Sequence, residues 1–106
     1  MMNTMINIYR EIVRLQDLGQ EVALATVVLT QGSTPRKAGS QMLVREDGSM
    51  TGSISGGCIE AEVYDLCKEV LKDGKPQVFE TRLTEAEVGT FGLTCGGLIR
   101  VFVEKV

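Results

Sequence analysis

The chain has no histidine and no tryptophan, and among its 106 residues only two prolines and five aromatic side chains, Tyr9, Tyr64, Phe79, Phe91 and Phe102. Without histidine there is no Ser-His-Asp or Cys-His nucleophile pair, no His-ligated zinc, and none of the side chain that ordinarily moves protons near neutral pH. Basic stripes are also missing. The longest basic run is Arg36-Lys37, and the scattered aromatics form no stacking array, which argues against nucleic acid as a partner. Long apolar runs are absent too: Asn7, Arg10, Glu11 and Arg14 interrupt Met5, Ile6, Ile8, Ile12 and Val13, so the sequence carries neither a signal-peptide core nor a membrane span.

What is present is the composition of one water-soluble module. Hydrophobic residues make up 43% and charged residues 24%, with a mean hydropathy of +0.08, too apolar for disorder. The length fits a single domain over residues 1–106. Eleven basic against fourteen acidic residues give a net charge of −3. Three cysteines, an odd number without a secretory leader, read as free thiols in a cytoplasmic protein.

Residues 5–18 carry Met5, Ile8, Tyr9, Ile12, Leu15 and Leu18 at helical spacing, and Gly19 supplies a stop. Glu21–Leu29 is β-branched and nearly continuously apolar, as expected of a strand buried on both faces at the sheet centre. Gln41–Arg45 and Met50–Ile54 flank Asp47-Gly48, a hairpin signal. Cys58–Asp73 is again helical in period, with Ile59, Val63, Leu66, Cys67, Val70 and Leu71 on one stripe and Gly74 at its end. Gln77–Leu83 and Leu98–Glu104 are further strands, separated by a loop long enough to be functional. The order implies an α/β or α+β domain: a mixed sheet with one hairpin, covered by two helices.

Three segments are candidates to carry chemistry, each readable also as a packed or solvated turn. In Ser53-Ile54-Ser55-Gly56-Gly57-Cys58 a strand runs through two glycines into a helix, so exposed amides and the positive end of the helix dipole favour an anion and a thiolate at Cys58, with Glu60 and Glu62 opposing. Its mirror image, Cys95-Gly96-Gly97, stands just before the last strand. If both lie at one sheet edge, Cys58 and Cys95 could share a ligand or a soft metal, although 95 − 58 = 37 residues matches no zinc-ribbon spacing. Cys67, nine residues beyond Cys58, points to the other side of the helix and belongs to the core. The third segment, Gly32-Ser33-Thr34-Pro35-Arg36-Lys37-Ala38-Gly39, brings hydroxyls, a guanidinium and an ammonium together between glycines, a composition suited to phosphate, but it is no Walker A loop and taken alone reads as a solvated turn.

Taken in order, GSTPRKAGSQMLVREDGSMTGSISGGCIE and GLTCGGLIRVFVE make the chain closely resemble the N-terminal domain of the XdhC/CoxI family over about residues 9–106. The resemblance implies a molybdenum cofactor-binding accessory protein, a chaperone for molybdopterin sulfuration or insertion into xanthine dehydrogenase-like or carbon monoxide dehydrogenase-like enzymes, with no catalytic residue required. It also implies that a Rossmann-type C-terminal domain is lacking from this chain and could be supplied by a separate partner. By position it points to Cys58 and Cys95 as thiols beside the cofactor metal, and to Ser33, Thr34, Arg36, Ser55, Gly56, Gly57, Gly96 and Gly97 as contacts to its anionic parts. Two alternatives stay open: a thiol redox or persulfide relay through Cys58 and Cys95, and a non-catalytic protein-interaction module. A small core favours self-association, so a homodimer is expected.

Overall fold

In a computed structural model of the chain, residues 4–32, 34, 36–57, 59–82 and 97–106 are described. Helix α1 (Thr4–Asp17) leads into strand β1 (Val22–Gln31), followed by β2 (Gln41–Arg45), β3 (Met50–Gly52), helix α2 (Glu60–Asp73), β4 (Gln77–Arg82) and β5 (Leu98–Lys105). The five strands lie in the order β3-β2-β1-β5-β4, so β1 is central, as its apolar content implies. Every pairing is antiparallel, where the sequence suggests a mixed sheet. The physical reason is the path of α2: it carries the chain from β3 at one edge to β4 at the other, so the strands it joins never become neighbours.

Alternation along the strands sorts the core into two layers. Val22, Leu24 and Leu43 pack with Ile8, Ile12 and Leu15 of α1. Ala23, Ala25, Val27, Met42, Val44, Ile99, Val101 and Val103 face the other way, against Val63, Cys67 and Val70 of α2 and the loop residues Ile54 and Ile59. The stripe of α1 is narrower than its sequence suggests, for Tyr9 and Leu18 are exposed. Both helices end on a glycine of positive φ, Gly19 at 75° and Gly74 at 72°, where a left-handed residue closes the last turn. Gly48 (φ 88°) makes the tight turn of the β2–β3 hairpin, and Tyr64 Oη donates to its carbonyl at 3.0 Å, tying α2 to that turn.

Register fixes where the loops emerge. Gln31, the last residue of β1, lies opposite Leu98, the first of β5, and Leu98 lies opposite Arg82, the last of β4. On the other side Thr26 faces Gln41 at the start of β2, and Met42 faces Gly52 at the end of β3. The loop after β1, the turn after β3 and the entry to β5 therefore all leave the sheet at one end. An irregularity in β1 between Val27 and Leu29 accommodates the returning loop, with Gly39 N donating to Val27 O at 2.7 Å and Val27 N to Ser40 O at 2.9 Å.

Candidate functional site

The turn after β3 is organised by one carboxylate. Glu60, the first residue of α2, accepts hydrogen bonds from Ser53 Oγ (2.9 Å), Ile54 N (3.1 Å), Ser55 N (3.2 Å) and Gly57 N (2.9 Å), and from the Ser55 hydroxyl. Two further bonds close the turn: Gly56 N donates to Ser53 Oγ at 3.1 Å and Ile59 N to Ser55 Oγ at 2.9 Å. Positive φ at Gly56 (68°) and Gly57 (109°) lets the backbone curl around the carboxylate, a conformation glycine adopts at least cost. Partial burial pushes the Glu60 carboxyl up, but the hydroxyls of Ser55 and Ser53 and the amides of Ser55 and Gly57 pull harder, bringing it down to about 2 from 4.5.

By sequence alone Glu60 is only a charge opposed to a thiolate. In the fold it is the hub of the turn, and a local signal exists. A glutamate reaching back to the amide three residues earlier has the spacing of a capping box, and Gly57 and Glu60 share that spacing, although Glu60 is the first helical residue and Ile59 the N-cap, so the bond closes the turn ahead of the helix.

The expected site residues divide accordingly. Ser55 is fully buried, with its hydroxyl and amide engaged by Glu60, so it supports the turn from beneath and presents no group to a surface ligand. Gly56 and Gly57 are exposed. In the loop after β1, Arg36 and Lys37 are exposed, and Thr34 Oγ1 donates to the Arg36 carbonyl at 2.9 Å, committing its one proton to the loop itself. Gly97 is buried beside Gly32, where an added Cβ would sit 3.4 Å from the Gly97 Cα. The loop after β1 thus meets the end of the Cys95-Gly96-Gly97 segment, at Gly97, at the base of this end of the sheet. Ser33, Cys58, Cys95 and Gly96 lie outside the described residues. Cys67 is fully buried among the aliphatic residues over α2, and burial pushes its thiol up to about 12, the inert core cysteine its spacing implies.

Comparison with known proteins places the chain in a family. Residues 15–82, well over half the chain and including both the loop after β1 and the turn after β3, match the XdhC and CoxI family. The chain belongs to that family. Relatives from two bacteria align over most of its length. It is 38% identical over 98 residues to the uncharacterised protein YqeB of Escherichia coli, covering 92% of this chain and 18% of that protein. It is 33% identical to a probable xanthine dehydrogenase subunit of Bacillus subtilis (82% and 27%), and 36% identical to the molybdenum cofactor insertion chaperone PaoD of Escherichia coli (83% and 27%). A crystal structure described as a xanthine dehydrogenase from Bacillus halodurans superimposes with a TM-score of 0.75 at 29% identity, over 99% of this chain and 31% of that one. The XdhC/CoxI chain therefore spans less than a third of the length of each of these proteins.

Proposed function

We propose that this chain is a molybdenum cofactor-binding accessory factor that assists sulfuration or insertion of the cofactor into xanthine dehydrogenase-like or carbon monoxide dehydrogenase-like enzymes in the cytoplasm. Membership of the XdhC and CoxI family is the observation that carries this reading. The similarity to an insertion chaperone and to one component of a probable xanthine dehydrogenase supports it. Register supports the location, since the end of β1, the end of β3 and the start of β5 lie at one end of the sheet.

The cofactor would present a phosphate and a soft metal-dithiolene centre when bound. The exposed Arg36 and Lys37 fit the first, because a guanidinium forks onto phosphate oxygens with two parallel hydrogen bonds. Thiolates fit the second, which assigns that role to Cys58 and Cys95. Exposed Gly56 and Gly57 let a ligand approach the backbone closely, while buried Ser55 and Gly97 shape the floor. Neither substrate turnover nor a catalytic base is part of this reading.

Titration of the purified chain with molybdenum cofactor tests it. Saturable binding that weakens in Arg36→Ala and in Cys58→Ser is the expected result. A chain that binds no cofactor, or whose binding ignores both substitutions, overturns the proposal.

A further inference from the structure

The turn after β3 has the form of an anion seat: backbone amides and hydroxyls converging at the start of a helix. Its donors already have an acceptor. Five hydrogen bonds from Ser53, Ile54, Ser55 and Gly57 reach the Glu60 carboxylate, and Gly56 N and Ile59 N are satisfied by Ser53 and Ser55 hydroxyls. No donor of residues 54–57 remains to be claimed by a phosphate, and a phosphate arriving there would also meet the negative charge of Glu60.

We propose that Glu60 is the positioning residue of this turn: its carboxylate fills the seat permanently, holds Gly56-Gly57 in place, and denies the turn to external anions. The consequence for specificity, which rests on the functional reading above, is a division of labour. The anionic group of the ligand goes to the loop carrying Arg36 and Lys37, and the turn meets the ligand only through the exposed edge of its glycines. A phosphate bound by the turn's own amides is excluded.

The full chain, labelled with nitrogen-15 and titrated with inorganic phosphate, tests this without any cofactor. The amide signals of Ile54, Ser55 and Gly57 should stay in place in the wild-type protein. In Glu60→Ala the same three signals should move saturably with formate, which replaces the missing carboxylate and restores thermal stability. Phosphate should bind that variant's turn about tenfold or more tightly than it binds the wild-type turn. Phosphate-dependent movement of these amides in the wild-type chain overturns the proposal, as does a Glu60→Ala protein whose turn ignores formate. Should Glu60→Ala not fold, Glu60→Gln retains one acceptor but sets an amide group against the turn's donors. Its Ile54, Ser55 and Gly57 signals should be displaced from their wild-type positions, and unchanged signals sink the idea. A chain that fails to bind cofactor yet shows this behaviour would lose its functional reading and keep the role of Glu60.

Discussion

Two glycine-bounded segments at one end of the sheet look alike in sequence and differ in the fold. Both the loop of residues 32–39 and the turn of residues 53–57 combine small hydroxyl residues with glycines, a composition that invites an anion. The turn carries its own anion and closes on it through Glu60. The loop keeps its cations at the surface and turns its single described hydroxyl, that of Thr34, onto its own backbone. Donor-rich composition marks a place where a negative charge belongs; whether the charge comes from a ligand or from the chain depends on a carboxylate a few residues away.

The largest expected effect separates the two segments by stability. Glu60→Ala leaves several turn donors, including the buried Ser55 hydroxyl, without their acceptor and should cost about 2–4 kcal/mol in urea unfolding. A loss below about 0.5 kcal/mol would show that water replaces the carboxylate freely.

Acid should act on the turn and spare the loop. The folded Glu60 carboxyl sits near 2, below its ordinary 4.5, so its contribution is complete above 4.5 and fades as the pH falls from there towards 2. Glu11 titrates in the same window, held down to about 2 by Arg14 against the opposing effect of burial and with help from Arg45. The difference between wild-type and Glu60→Gln stability, followed by urea unfolding from pH 6 to pH 2, isolates the turn and should shrink as the pH drops. A difference that stays constant across that range would contradict the assignment.

A smaller effect reads the backbone alone. Gly57 has open space around its missing Cβ but a φ of 109°, so Gly57→Ala should cost about 1–2 kcal/mol from conformation with no steric clash. The smallest stability effect belongs to the loop. Arg36→Ala, at an exposed position, should stay within about 0.5 kcal/mol of wild type by thermal unfolding while lowering affinity for cofactor about tenfold. A large loss of stability in that variant would make the loop a structural element and erase the contrast.

Most of the framework is legible in the sequence because it rests on short-range patterns. A nearly unbroken apolar run rich in β-branched residues marks β1 as central, Asp47-Gly48 marks the hairpin, and the spacing of Val63, Cys67 and Val70 gives the buried stripe of α2. Boundaries shift where side-chain hydrogen bonds override propensity. Ser53 and Ile54, which the sequence reads as the end of the strand, leave β3 because Glu60 draws them into the turn, and α2 begins at Glu60 with Ile59 in a non-helical N-cap conformation (φ −130°). Sheet direction is not legible, since pairing between β1 and β5 depends on contacts between segments far apart in the chain. Composition picks out donor-rich segments but cannot say which hydroxyl faces inward. Ser55 has the donors of a ligand contact, and those donors point into the protein.

The burial of Cys67 gives the protein a built-in gauge of its own integrity. One of the three thiols is sealed beneath α2 and holds its proton far into the alkaline range, so an intact molecule should consume at most two equivalents of a thiol-alkylating reagent. Uptake of a third equivalent would report that the layer over the sheet has opened, which turns a simple count of labelled thiols into a check that any variant still holds its native shape.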